Sequence, residues 1–279
     1  MPPLFPITLV LQAVACTLYV VGLAQWPAQV QPGARSLSAM ARRVLWLAVL
    51  SQAIDIGWLC LHGRHPASSP RVATYFLAWL LVLVEPLWSS PQKTPFLGVL
   101  LLPLAMVLEL FLRWLPPAPQ AAGTIDGRLL ASLHVLCATS GTAMFGLAAA
   151  TSVMYVLAER HLKRHLAPSK EPRLSLAMLD RWNHQSIGFG LIAFTLTLIT
   201  GTYWLTSTGP AGGETAGPLA LLVQKPEYVL SILCWLIFVV LLLARHLWGF
   251  RGRKAAFFTL SGFAIAVGVV GIYLLRDFL

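Results

Sequence analysis

The sequence predicts an all-α polytopic membrane protein: a single bundle over residues 1–279 of about eight transmembrane helices, with both termini outside. Three observations predict it. The composition is 57% apolar and only 11% charged, with a mean hydropathy of +0.74, where a soluble domain carries about a quarter charged residues. Eight apolar stretches recur along the chain, each long enough to cross a hydrocarbon core about 30 Å thick. The basic residues fall unevenly between alternate loops, as retention of Lys and Arg on the cytoplasmic side requires.

The first stretch, residues 4–25, follows an uncharged start and has neither a basic leader nor an obvious small-residue cleavage site, so it is read as a span rather than a signal peptide. Spans at 44–62, 72–88 and 96–115 follow, and four more at 129–158, 186–206, 228–247 and 255–275. Helix breakers occupy the linkers: Gln31-Pro32-Gly33, Pro66 to Pro70, Pro116-Pro117-Ala118-Pro119, Thr208-Gly209-Pro210 and Gly212-Gly213. No internal repeat is visible. The 207–224 linker, rich in Gly and Pro and without an aromatic ring, reads as a mobile outer loop that offers no stacking platform.

Grouping alternate loops puts fourteen Lys and Arg on one side, among them Arg42, Arg43, Arg160, Lys163, Lys170, Arg245 and Arg253, and six on the other, Arg64, Arg71, Arg113, Arg128, Lys225 and Arg276. The 159–181 and 248–254 loops are therefore expected inside. The net charge of +10 is explained by this placement and does not call for nucleic acid as a partner. Cys16, Cys60, Cys137 and Cys234 have no C-x-x-C or C-x-x-C-H spacing, so they read as small packing residues. No P-loop, G-x-S-x-G or H-E-x-x-H pattern occurs, so no catalytic residue is assigned and an enzyme is not expected.

The seven histidines carry most of the remaining information, because imidazole near hydrocarbon needs a partner, a ligand or water. His62 and His65 fall at the outer end of the second span and His134 near the outer end of the fifth. His184 opens the sixth span and His246 closes the seventh, both on the inner side. His161 and His165 lie in the basic inner loop and read as solvated. Taken singly, each is readily explained as interfacial or hydrogen-bonded. Grouping at two depths favours ligands, and imidazoles on facing helices are a common way to hold heme iron. Zinc would need three or four ligands together.

Acidic residues form a second set. Asp55, near the middle of the second span, is expected to be protonated or to face a polar cavity, and with Glu85 it marks a polar path for a proton or solute. Glu109 and Arg113, spaced i, i+4 in the fourth span, are expected to pair.

A family resemblance covers residues 129–275 best. Leu179-Asp180, Ser186-Ile187-Gly188-Phe189, Thr200-Gly201-Thr202-Tyr203-Trp204, Cys234-Trp235-Leu236-Ile237, Arg245-His246 and Gly249-Phe250-Arg251-Gly252-Arg253-Lys254-Ala255-Ala256 resemble the CcsA/HemX-type cytochrome c assembly family. In order and spacing they are most similar to its short HemX/YpjD-like branch. His134-Val135 matches as well, and Gly63-Arg64-His65-Pro66 with Phe76-Leu77-Ala78-Trp79 is a weaker echo.

The resemblance implies a heme-handling protein of a bacterial cytoplasmic membrane. It would hold a non-covalent, b-type heme, with His246 as an intramembrane ligand, His134 as an outer ligand, and His184 and His65 as further candidates. Partners would be heme, lipid, and proteins of cytochrome c assembly or tetrapyrrole synthesis. The tryptophan-rich outer loop of the assembly synthetases is missing between Trp204 and Lys225, and so is the histidine that follows their last matching span. Heme transfer to apocytochrome c would then need other proteins. Two alternatives stay open: a HemX-like regulator that contacts a cytoplasmic enzyme through the basic 159–173 loop, and a small-solute or ion transporter that uses Asp55 and the inner histidines.

Overall fold

The computed structural model describes residues 2–24, 32–88, 97–113, 125–164, 175–207 and 225–275. Over these residues the chain is a polytopic helix bundle of eight α-helices: α1 (Phe5–Ala24), α2 (Pro32–Leu61), α3 (Pro70–Trp88), α4 (Leu97–Phe111), α5 (Ile125–Arg164), α6 (Leu176–Ser207), α7 (Pro226–Trp248) and α8 (Arg253–Leu275), with one 3-10 turn at Pro66–Ser68. Seven are long and apolar enough to cross a membrane. The eighth, α4, has 15 residues, about 22 Å of helix. It packs along the length of α1. Gly98 lies against the Tyr19 ring, Glu109 bonds Gln12, and Leu112 shares a core cluster with Phe5.

Several helices start earlier than apolarity alone predicts. Pro32 opens α2 and Pro70 opens α3, because a proline in the first turn lacks only an N–H that would have no helical partner there. The Gln31-Pro32-Gly33 breaker is thus partly a helix start. At Leu176, α6 begins ten residues before the expected span, so His184 sits more than two turns inside the helix instead of opening it. α5 runs for 40 residues, about 60 Å, well beyond the hydrocarbon core. The side chain of His161, on its last turns, and the whole of His165 lie outside the described residues, as do most of the basic 159–173 loop and the 208–224 linker.

Glycine decides the sharp corner between α7 and α8. Gly249 caps α7 at φ 61°, and Gly252 follows at φ 74° beneath the Tyr155 hydroxyl. Both lie in the left-handed region that a side chain makes costly.

The bundle has two halves that meet along α5. Helices α1 to α4 and the inner part of α5 enclose a large core containing Leu45, Leu81, Leu101, Leu102 and Leu147. α5 to α8 enclose a second core centred on Phe145 and Phe238, whose rings stack 3.8 Å apart. The α5–α6 contact is tightened by small residues. A side chain on Gly190 would meet the Phe145 ring at 2.7 Å, and one on Gly141 would meet the Gly190 carbonyl at 3.2 Å. Close backbone approach at small residues is what holds helices together where water provides no hydrophobic drive.

Candidate functional site

Antiparallel packing of α6 on α7 sets the depth of the inner histidines. Thr202 bonds Tyr228, Trp235 bonds Thr195, and Arg245 bonds Asp180, so the two helices run past one another in register. His184 and His246 therefore arrive level. Their ring centroids stand 5.3 Å apart with planes inclined by 50°. His184 is half-buried and His246 exposed on the outward face of the bundle.

The tautomer of His246 follows from its partner. Nδ1 lies 2.9 Å from the Leu242 carbonyl, and a carbonyl only accepts, so Nδ1 carries the hydrogen and Nε2 keeps its lone pair. That is the ligating form of imidazole. The acceptor is supplied by the same helix one turn back. Two nearby acids are engaged elsewhere: Asp180 with Arg245, and Glu85 with the Tyr19 hydroxyl at 3.2 Å.

Beside this pair lies a polar clamp that sequence reasoning missed. Arg245 is 7% exposed. It donates to Asp180 Oδ1 at 3.2 Å and, through a short bond, to Asn183 Oδ1. Asn183 in turn donates to the Ala148 carbonyl at 2.7 Å and to Ser152 Oγ at 2.8 Å, while the Thr259 hydroxyl approaches its Oδ1 at 3.5 Å. One arginine and one asparagine thus tie α5, α6, α7 and α8 together next to both histidines. Counted by sequence among the inner loop cations, Arg245 is in fact a buried structural group. The signal was its place one residue before His246, beside Asp180 and Asn183 one residue before His184. The accompanying recess, lined by Thr151, Tyr155, Asn183 and Arg245 among others, is a cavity of about 10 Å³, room for no more than about one water molecule.

His134 occupies the opposite end. On α5 it lies 14 to 18 residues before Ala148 and Ser152, which face Asn183, about 21–27 Å along the helix. Its Nδ1 is 3.0 Å from Thr200 Oγ1. The Thr200 hydroxyl also lies within reach of the Leu196 and Thr197 carbonyls. Gly201 makes room for the ring, since a Cβ there would stand 3.2 Å from Cε1. His65 is exposed and opens the 3-10 turn, accepting from Ser68 N and Oγ through its carbonyl. That turn packs against α3 and α5. His62 stacks on Trp58 at 4.0 Å.

The acidic residues differ from expectation in position and partner. Asp55 lies six residues before the end of α2, level with the start of α1. It accepts from the Leu4 N–H at 2.9 Å and from the Tyr75 hydroxyl at 3.2 Å. Glu109 does not pair with Arg113. Arg113 is exposed, whereas Glu109 is buried and accepts from the Gln12 and Gln52 amides at 2.8 and 2.9 Å. Lys163–Glu159 and Arg245–Asp180 form salt bridges. No group of three or more His, Cys, Asp or Glu arranged to hold a metal occurs among the described residues.

The architecture is that of a polytopic membrane helix bundle with imidazoles at both ends. The chain belongs to the cytochrome C assembly protein family, whose pattern it matches over residues 71–275. It is similar to the cytochrome c biogenesis protein CcsA of Gloeothece citriformis, 23% identical over 310 residues that cover 92% of each chain. It is also similar to the CcsA proteins of Heterosigma akashiwo, 25% identical with 72% of this chain and 70% of the relative covered, and of Thermosynechococcus vestitus, 25% identical with 76% and 77% covered. No solved structure matches. The 310-position alignment exceeds the 279 residues of this chain, so the Gloeothece relative carries residues that this one lacks.

Heme is the group that cytochrome c assembly brings into question, and the inner pair fits it in part. His184 and His246, whose rings stand 5.3 Å apart, would hold it through their imidazoles, and the iron would supply the site that imidazole nitrogen ligates. Accommodation would come from the exposed side of the α6–α7 seam, since the polar recess is too small.

Proposed function

We propose that the protein binds heme in cytochrome c assembly, with His184 and His246 as the axial ligands of a non-covalent, b-type heme at the inner end of the bundle. The observation that carries this reading is the level imidazole pair 5.3 Å apart, beside a clamp that fixes α6 against α7. Heme bound there would supply an iron centre that accepts imidazole on both faces. His246 presents Nε2 because Leu242 holds Nδ1, and Arg245 keeps His246 at the depth of His184. His134 serves as the outer station, and His65 joins it at that end of the bundle.

Within the family, the protein is assigned to the short HemX/YpjD-like branch. The support is that the aligned CcsA relative has residues this chain lacks. It acts in a bacterial cytoplasmic membrane with the His184–His246 end inside, alongside assembly partners that complete transfer to apocytochrome c.

The test is an absorption spectrum of detergent-purified protein. His184→Ala and His246→Ala are each expected to lower heme content or to give a five-coordinate spectrum, while His161→Ala does neither. An unaltered six-coordinate spectrum in both single variants would exclude the pair.

A further inference from the structure

The half of the bundle away from the paired histidines contains a buried polar cluster that heme binding does not use. Glu109 of α4, Gln12 of α1 and Gln52 of α2 are all completely buried, and the two glutamines lie before residue 71, where the family match begins.

Hydrogen-bond bookkeeping within the cluster leaves a definite imbalance. Gln12 Nε2 donates to Glu109 Oε1 at 2.8 Å and to Gln52 Oε1 at 3.3 Å. Gln52 Nε2 donates to the same Glu109 Oε1 at 2.9 Å and to the Tyr75 carbonyl at 3.4 Å. Each amide nitrogen has two hydrogens, so all four are used, and turning either amide over would set its oxygen against an acceptor. Two buried acceptors then remain without a partner: Glu109 Oε2 and Gln12 Oε1. The cluster has run out of donors. Of its members, only the Glu109 carboxyl can change from acceptor to donor, by taking a proton on Oε2.

The surroundings favour that change. The ionisable groups facing Glu109 are Asp55 from α2 and Tyr75 from α3, and α1 contributes only Thr8 and Gln12 to this region. Arg113, one turn further along α4, is exposed and not bonded to it. An ionised carboxylate would thus be buried beside a second acid with no paired cation, which is costly in a low-dielectric interior.

We propose that Glu109 is an intramembrane proton-binding site, loaded and unloaded from the end of the bundle at which α1 begins. The proton arrives from water at that end, forms the O–H bond at Oε2, and leaves by the same bond breaking; no electron or second reactant is involved. Polar groups mark the way. Asp55 accepts from Leu4 N–H and from Tyr75 Oη, and the Thr8 and Ser51 hydroxyls, 2.8 Å apart, lie between this pair and the glutamines. Asp55 is the outermost acid of this path, while Glu85 sits at the opposite end with Tyr19 and takes no part.

The experiment is infrared spectroscopy of the full-length protein in detergent, with and without deuterium exchange. The expected result is a carbonyl stretch of a neutral carboxylic acid, above the amide I band, that shifts down in D2O and is lost in Glu109→Gln. Gln12→Leu, which removes the acceptor but keeps the acid, is expected to shift the same band without abolishing it. This arm decides the matter even if Glu109→Gln fails to fold. Asp55→Asn should slow deuterium exchange of the band several-fold. A band unchanged in both Glu109→Gln and Gln12→Leu would overturn the proposal. So would a band in the parent protein that sodium removes at constant pH, because the ligand would then be a metal cation.

Discussion

Replacing Asn183 with Ala isolates the clamp from the histidines it supports. The substitution removes the charge-assisted bond from Arg245, the weak approach of Thr259, and two donors to Ala148 and Ser152 on α5. The α5 groups lose little, because Ser152 Oγ still donates to the Ala148 carbonyl. Arg245 loses more. Its Nε is already without a partner, and it would keep only Asp180. A hydrogen bond to a buried charged group contributes about 1.5–3 kcal/mol, and stripping a buried charge of a partner adds desolvation cost. The expected loss is therefore about 2–4 kcal/mol in a reversible SDS titration of mixed micelles. Asp180→Asn is the internal comparison. The Asp180 side chain is 22% exposed and an amide oxygen still accepts from Arg245, but the buried guanidinium loses its counter-charge, so a loss of about 1–3 kcal/mol is expected. Because the clamp sets α6 against α7, Asn183→Ala should also broaden or shift the heme spectrum before it abolishes binding. A variant within about 1 kcal/mol of the parent, with an unchanged spectrum, would refute the argument that Asn183 and Arg245 hold the site.

Two further outcomes follow from the same geometry. A reporter fused after Leu279 should read outside and one inserted near Lys170 inside; the opposite pair would reverse the orientation drawn from the basic residues, of which thirteen still favour the inner side once Arg245 is counted in the clamp. Gly201→Val places methyl groups where a Cβ alone already stands 3.2 Å from His134, so it should disturb the outer imidazole and leave the His184–His246 spectrum as it is, a result read by comparing the two variants' absorption with that of His134→Ala.

The sequence alone determined the solvent and the number of helices. Apolar length marked eight stretches, of which seven form helices long and apolar enough to cross a membrane, and antiparallel alternation put His184 and His246 at one end and His134 at the other, because depth in a bundle follows from distance along each helix. Helix starts were less legible, since Pro32 and the stretch from Leu176 to Asn183 are too polar for a hydropathy pattern yet continue the same backbone ladder. What only the tertiary structure decided was rotation about the helix axis. In helices apolar on nearly every side, no stripe marks the inward face. Whether Glu109 turns to Arg113 on its own helix or to Gln12 and Gln52 on two others is therefore set by packing. The same holds for Arg245, which by sequence is one more basic residue at a helix end. Its burial follows from the close approach that glycines and alanines allow around α5, where Asp180 and Asn183 of α6 receive it.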